Sequence, residues 1–132
     1  MIGIVLVAHG LLADGLKHAV EMIVGPQERL VAIGMEPGSD GERLRRRIED
    51  VVGQMLPAGE VLVLTDLLGG SPANASFALM NNGTPVLCGV NLPMLLEILT
   101  QRAHTPLPEL TRLAVQAAKE GIIHLRPLEK LE

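Results

Sequence analysis

Short apolar segments alternate with segments of helical periodicity along almost the whole chain, and this alternation constrains the fold more than any other feature. Ile2–Ala8 is a near-continuous apolar run, typical of a strand that is covered on both faces. Similar short runs follow at Leu30–Ile33, Val61–Leu64 and Pro85–Val90. Because helical segments separate these runs, the pattern predicts an α/β fold with an open, mainly parallel sheet and helices on both faces.

Local signals place the helices between the strands. The first helix is predicted to end at Gly25-Pro26, and its inward face is predicted to carry Leu12, Leu16, Ala19, Val20 and Ile23. Ser39 and Glu42 form a capping-box pattern at the start of the second helix. Ser71-Pro72 favours a third helix start, with the Ser71 hydroxyl as the cap.

The remaining elements complete a βαβαβαβααβ order. A helix is predicted to open at Asn91-Leu92-Pro93, and another runs from about Pro106 to Glu120. Ile122–Leu125 is predicted to form a short C-terminal antiparallel strand. We therefore predict one domain over residues 1–125 and a charged C-terminal tail over residues 126–132.

Composition excludes several classes of function. A formal net charge of −4 and a single aromatic residue, Phe77, argue against nucleic acid as a partner. No apolar run approaches the roughly 20 residues that span a bilayer. The single Cys88 cannot form an internal disulfide, so a reducing, cytoplasmic setting is expected.

Polar residues follow three of the predicted strands directly. His9-Gly10 follows the first strand, Asp66 and the loop after it follow the third, and Asn91 follows the fourth. Ligands of open parallel sheets bind beyond the carboxyl ends of the strands, where the strand order reverses. With the strand order 2-1-3-4, the first and third strands are neighbours, and His9 and Asp66 lie close together.

Such a pair suits phosphoryl transfer. A neutral imidazole is a competent nucleophile towards phosphorus, and a carboxylate bonded to one ring nitrogen leaves the lone pair of the other free. Gly69, Gly70 and Ser71 can supply backbone N–H groups, and Ser71 also a hydroxyl, to a phosphate. We therefore predict that His9 accepts a phosphoryl group, that Asp66 orients His9, and that residues 69–71 bind the phosphate.

Several other residues receive weaker assignments. Gly10, Asn91 and Met94 are expected to line the wall of the site, although Asn91 is equally suited to capping a helix. The remaining histidines show no zinc-binding spacing, and no metal or cofactor is expected; they are His18, His104 and His124. A basic run, Arg43 and Arg45–Arg47, is flanked by acidic residues, which favours a solvated helix face over a docking site for an acidic partner.

Three segments resemble one known family, the IIA component of the mannose/fructose/sorbose class of the bacterial phosphoenolpyruvate-dependent sugar phosphotransferase system (PTS). These segments are Ile4–Gly10, Thr65–Asn74 and Gly89–Leu95. The resemblance implies that His9 is phosphorylated by the phosphocarrier protein HPr and then phosphorylates a IIB carrier that serves a membrane permease. It also implies that Asp66 orients the histidine, and that Ile122–Leu125 is exchanged between the subunits of a homodimer.

The sequence departs from the family pattern at two positions. Leu68 stands where the family often has an aromatic residue, and Ala8 replaces a hydroxyl residue that is common before the histidine. No IIB domain follows in this chain, so a IIB partner is expected on a separate chain.

Four alternatives to sugar uptake stay open from the sequence. The same relay could have a regulatory output without a transporter, or it could serve a dihydroxyacetone kinase. A tetrapyrrole metal chelatase could also open with an apolar strand and His-Gly, but it would need a second metal-facing histidine. A non-catalytic interaction module would leave the pairing of His9 with Asp66 unexplained.

Overall fold

A computed structural model describes residues 1–127 and confirms the α/β fold. The strands are β1 (Gly3–His9), β2 (Leu30–Met35), β3 (Val61–Thr65) and β4 (Val86–Cys88). The helices are α1 (Leu12–Val24), α2 (Gly41–Met55), α3 (Ser71–Ser76), α4 (Leu92–Gln101) and α5 (Leu107–Glu120). Short 3₁₀ turns follow α2 and α3. No helix in this part of the chain combines the length and apolarity needed to cross a bilayer.

The four strands form one parallel sheet in the order β2-β1-β3-β4, as predicted. Side chains alternate between the two faces of the sheet because successive strand residues point in opposite directions. Ile4 and Leu6 pack with α1, α4 and α5, whereas Val5 and Val7 pack with α2 and the segment that contains α3. The central strands are therefore buried on both faces, which explains their continuous apolar sequence.

Three predictions about the helices were wrong in detail: the capping residues of α2 and α3, and the inward face of α1. Asp40, not Ser39, caps α2: its Oδ1 accepts a hydrogen bond from the backbone N–H of Arg43 at 2.7 Å. Both residue types can cap a helix, and the chain turns into α2 one residue later than the pattern indicated. In α3, Gly70 holds the capping position and Ser71 is the first helical residue, so its hydroxyl is not a cap.

The inward face of α1 also differs from the prediction. Ala13 and Val20 are buried, and Leu16 and Val24 pack partly against the core. Leu12 and Ile23, which were predicted to face inward, are 48% and 59% exposed. Apolar residues occupy more than one side of α1, and periodicity alone did not decide which side faces the sheet.

The predicted C-terminal strand does not form within the described part of this chain. Residues 122–127 have no assigned helix or strand, and Ile122, Ile123 and Leu125 are 70–85% exposed. The nearby strand β4 lies at the edge of the sheet and pairs only with β3 among residues 1–127. Most of the predicted tail, residues 128–132, lies outside the described residues.

A buried arginine holds together the end of the sheet opposite His9. Arg102, at the end of α4, is 3% exposed, and its Nη1 donates to the carbonyl oxygen of Ile2 at 3.0 Å and to that of Arg29 at 3.2 Å. Its Nη2 donates to the carbonyl oxygen of Glu28 at 2.6 Å and to the side chain of Gln27 at 3.2 Å. Burial, together with the nearby Arg29, lowers the pKa of Arg102. One guanidinium therefore ties α4 to the starts of β1 and β2.

We expect Arg102→Met to lower the free energy of unfolding by about 2–4 kcal/mol, because several buried carbonyl groups lose their donor. Urea denaturation followed by circular dichroism measures this change. The matched control is Arg112→Met, which removes an exposed arginine that pairs with Glu109 on α5. This control should change stability by less than about 1 kcal/mol. Equal stability of the two variants would show that the Arg102 network contributes little.

Candidate functional site

The carboxylate of Asp66 holds His9 at the junction of β1 and β3. Oδ2 of Asp66 lies 2.7 Å from Nδ1 of His9 and also accepts the backbone N–H of His9 at 3.0 Å. Oδ1 accepts the backbone N–H of Leu67 at 3.0 Å. With three hydrogen bonds, the carboxylate is fixed in position, and the ionised form requires that Nδ1 carry a proton. The lone pair of the imidazole is therefore on Nε2.

Exposure differs sharply between the two partners. The side chain of Asp66 is 8% exposed, whereas that of His9 is 49% exposed. Burial alone would raise the pKa of Asp66, but hydrogen bonds from the backbone and ring of His9 outweigh it and lower the pKa overall. Asp66 is consequently a carboxylate at neutral pH, and the ring that it orients is accessible to another molecule.

The loop before α3 packs against the free edge of the imidazole. A Cβ added at Gly70 would lie 2.9 Å from Cε1 and 3.5 Å from Nε2 of His9, so only glycine allows this approach. Gly69 has a φ of +88°, a conformation that favours glycine, and it turns the chain towards α3. Both glycines of the predicted phosphate loop therefore have a steric or conformational reason to be there.

Several donors in this loop have no acceptor within the described part of the chain. Among residues 1–127, no hydrogen bond involves the hydroxyl of Ser71 or the backbone N–H groups of Gly69 and Ser71. These groups lie in the segment that packs beside Nε2 through Gly70. An anion bound at Nε2 would have donors close by without displacing an internal hydrogen bond.

The three residues that were predicted to line the wall of the site, Gly10, Asn91 and Met94, differ in their contacts. Gly10 follows His9 directly and has a φ of +55°. Its backbone N–H donates to the carbonyl oxygen of Met35 at 2.8 Å. Asn91 caps α4 through Met94 N–H at 2.9 Å, and its Nδ2 donates to the carbonyl oxygen of Ala118 at 3.1 Å. Met94 is 2% exposed in the core. Asn91 thus acts as a helix cap and Met94 as a core residue, and their place in the wall of the site stays a prediction.

One glycine beside the site was missed by the sequence analysis. Gly34, near the end of β2, pairs with Ala8, and a Cβ there would collide with the carbonyl oxygen of Gly10. The turn after His9 thus depends on a glycine in the neighbouring strand. The only sequence signal was a glycine at the carboxyl end of a predicted strand, where a close backbone approach is common.

Exposed leucines follow both members of the polar pair in the sequence. Leu11 is 82% exposed, Leu67 is 50% exposed and Leu68 is 71% exposed, and they directly follow His9-Gly10 and Asp66 in the chain. Clusters of exposed large apolar side chains are typical of protein-binding surfaces. Among residues 1–127, no group of three or more His, Cys, Asp and Glu side chains is placed to hold a metal ion.

We expect Gly70→Ala to slow chemistry at His9 by about 10- to 100-fold, because the methyl group would push the ring away from Asp66. Gly70 has a φ of −86°, so alanine adds no backbone strain and the fold should stay intact. The matched control is Gly53→Ala in α2, where a Cβ meets nothing within 4 Å. The rate of the predicted phosphoryl transfer to His9, measured for both variants, tests this, and an unchanged rate for Gly70→Ala would contradict it.

Fold and site together define a parallel α/β protein with a carboxylate-oriented histidine where the strand order reverses. A profile of the family described as PTS system fructose IIA component matches residues 3–115. The chain therefore belongs to the family of IIA components of the mannose/fructose/sorbose class of the PTS.

Individual relatives agree with this assignment. The chain is 36% identical over 134 residues to the PTS system mannose-specific EIIAB component of Escherichia coli (strain K12), covering 98% of this chain and 42% of that protein. It is 34% identical over 112 residues to the PTS system fructose-specific EIIA component of Bacillus subtilis (strain 168), covering 83% of this chain and 77% of that protein. The chain thus spans about two-fifths of the length of the Escherichia coli relative.

Solved structures support the same fold. The crystal structure of phosphotransferase system component EIIA from Streptococcus agalactiae superposes with a TM-score of 0.86 at 36% sequence identity. The superposition covers 94% of this chain and 97% of that chain.

Proposed function

We propose that this protein is a phosphocarrier that accepts a phosphoryl group from phospho-HPr on Nε2 of His9 and passes it to a IIB carrier for sugar uptake. The observation that carries the proposal is the hydrogen bond of 2.7 Å between Asp66 and Nδ1, which leaves Nε2 as the nucleophile. Family membership supports the reaction class, and we expect the relay to operate in the cytoplasm.

Transfer on to His9 needs no cofactor in this mechanism. The lone pair of Nε2 attacks the phosphorus of the donor, the new N–P bond forms, and the bond between phosphorus and the donor nitrogen breaks. Nδ1 keeps its proton throughout, and Asp66 stabilises the positive charge that develops on the ring. Transfer to the acceptor repeats the same steps, with phospho-His9 as the donor.

The phosphoryl oxygens would be held by the loop between β3 and α3. Gly70 brings the backbone beside Nε2, and the N–H groups of Gly69 and Ser71, with the Ser71 hydroxyl, are available as donors. Donors that are fixed before the reaction stabilise developing negative charge without reorganisation. No lysine or arginine is required at Nε2 itself.

Mass spectrometry of the intact protein tests the proposal. After incubation with phosphoenolpyruvate, enzyme I and HPr, we expect one phosphoryl group per chain, lost on mild acid treatment, and peptide mapping should place it on His9. Addition of a IIB domain should remove it. A protein that stays unmodified under these conditions would overturn the proposal.

The argument for a homodimer is based on the exposed C-terminal segment. Ile122, Ile123 and Leu125 are exposed beside a sheet whose outer strand, β4, has a free edge in the described chain. Open edges and exposed apolar segments are typical sites of strand addition between chains. We propose that residues 122–125 of each subunit pair with the sheet of the other.

We expect analytical ultracentrifugation to give a dimer at micromolar concentration, and Ile123→Asp to shift it towards monomer by burying a charge in the interface. The matched control is Met22→Asp, which adds the same charge to an exposed apolar position on α1. A wild-type protein that sediments as a monomer would contradict the exchanged strand.

The family assignment favours phosphoryl transfer over the chelatase alternative. Among relatives of this family, the proteins from Escherichia coli and Bacillus subtilis are described as mannose- and fructose-specific components of the PTS. These descriptions support sugar uptake over a purely regulatory output. Loss of growth on one PTS sugar after deletion of the gene would distinguish the two outputs directly.

A further inference from the structure

The side chain of Leu67 lies beside the reactive edge of His9. Both side chains approach the same point of the loop, the position of a Cβ added at Gly70. That point is 3.5 Å from Nε2 of His9 and 3.7 Å from Cγ of Leu67. Apart from the two residues next to Gly70 in the chain, the three heavy atoms nearest to it are two atoms of the His9 ring and this Leu67 carbon. A branched apolar side chain therefore borders the space around Nε2.

The carboxylate of Asp66 sets the position of the ring and the start of Leu67 together. Its Oδ1 accepts the backbone N–H of Leu67 at 3.0 Å, and its Oδ2 lies 2.7 Å from Nδ1 of His9. Leu67 is 50% exposed, so it lies at the surface of the site and is not part of the core. The packing of the core therefore does not explain why this position carries a large apolar side chain.

A phosphoryl group on Nε2 can be lost to water as well as passed to a protein. The ring of His9 is half exposed, so water reaches it freely in the isolated chain. In hydrolysis, the oxygen of water bonds to phosphorus, the N–P bond breaks, and its electron pair returns to Nε2. Both protons of the water leave on dihydrogen phosphate, and Nδ1 keeps its own proton. A carrier must therefore hinder attack by water while it admits a protein acceptor.

We propose that Leu67 limits the access of water to the phosphoryl group on Nε2 and so favours transfer to a protein over hydrolysis. The inference rests on the proposed phosphocarrier function. An apolar side chain offers water no hydrogen bond, so it cannot hold a water molecule in position to attack the phosphorus beside it. A protein acceptor, in contrast, gains free energy when it covers the same apolar surface. Leu67 thus acts on the choice between two acceptors.

The test measures hydrolysis of the isolated phosphoprotein, so that docking of a partner does not affect the result. The protein is phosphorylated with phosphoenolpyruvate, enzyme I and HPr, separated from both proteins, and followed at neutral pH by release of inorganic phosphate. Leu67→Ala should raise the first-order rate of hydrolysis by about 3- to 10-fold, because it removes most of the apolar cover beside Nε2. Leu67→Met keeps the apolar bulk and should stay near the wild-type rate.

The matched control is Leu56→Ala, in the 3₁₀ turn that follows α2 and precedes β3, at the end of the sheet opposite His9. Leu56 is 44% exposed, similar to Leu67, and its removal should leave the rate of hydrolysis unchanged. NMR of the ring nitrogens should show the contact between His9 and Asp66 intact in Leu67→Ala.

Three results would overturn the inference: an unchanged rate for Leu67→Ala, an equal increase for Leu56→Ala, or faster hydrolysis together with loss of the contact between His9 and Asp66. The last would mean that Leu67 only supports the loop. In each case His9 would still be labelled, and the phosphocarrier function would stand. Failure to label the wild-type protein would overturn both.

Discussion

Replacing His9 with alanine is expected to reduce labelling from phosphoenolpyruvate, enzyme I and HPr to the background level. In the proposed mechanism the imidazole provides the nucleophile itself, and alanine offers no atom in its place. Among residues 1–127, no second histidine contacts Asp66 or the Gly69–Ser71 loop. The loss should therefore be complete and not partial.

The fold should survive this substitution. The side chain of His9 is 49% exposed, so its removal leaves no sealed cavity, although Asp66 loses one of its hydrogen bonds. We expect the free energy of unfolding to change by about 1 kcal/mol or less. His18→Ala, on the exposed surface of α1, is the matched control and should be labelled at the wild-type level. Persistent labelling of the His9→Ala protein would assign the acceptor to another residue.

The proximity of His9 and Asp66 could be predicted because it follows from topology alone. Apolar runs located β1 and β3, and the order 2-1-3-4 makes these strands neighbours whose carboxyl ends meet at one edge. The details of the contact could not be predicted. That one oxygen of Asp66 serves both the ring and the backbone of His9 depends on the local path of two loops.

Features that depend on packing between distant segments also could not be predicted from the sequence. The Gly-Gly-Ser pattern indicated an anion-binding turn, but not that Gly70 touches the imidazole. Nothing in the local sequence distinguishes Arg102 from an exposed arginine near the end of a helix, yet it is buried and donates to carbonyl groups at the starts of two strands. In each case the decisive neighbour lies more than 50 positions away, where local patterns carry no information.

Replacing Asp66 with asparagine is expected to slow phosphoryl transfer by about 10²–10⁴-fold. An amide has one acceptor and one donor end, whereas the carboxylate accepts three hydrogen bonds. If the NH₂ group faces His9, it requires Nδ1 as an acceptor, which moves the ring proton to Nε2 and removes the nucleophile. If the oxygen faces His9, the tautomer is kept, but the negative charge that stabilises the developing imidazolium is lost.

Transfer kinetics and stability together separate this role from a purely structural one. Single-turnover rates with phospho-HPr should fall while the protein stays folded, and NMR of the ring nitrogens should report the change of tautomer. Unchanged rates would remove Asp66 from the mechanism. The matched control is Asp50→Asn, an exposed carboxylate of α2 without an ion pair among residues 1–127.

The pH dependence of stability provides an independent measure of the same contact. Because hydrogen bonds from His9 lower the pKa of Asp66 below its ordinary value of 3.8, the ionised carboxylate stabilises the folded state at higher pH. That contribution is fully present above 3.8 and is lost as the pH falls through the lower pKa of the folded protein. The wild-type protein should therefore be more stable than Asp66→Asn near neutral pH, and the difference should shrink in acid. A difference independent of pH would mean that the charge of Asp66 adds nothing to its contact with His9.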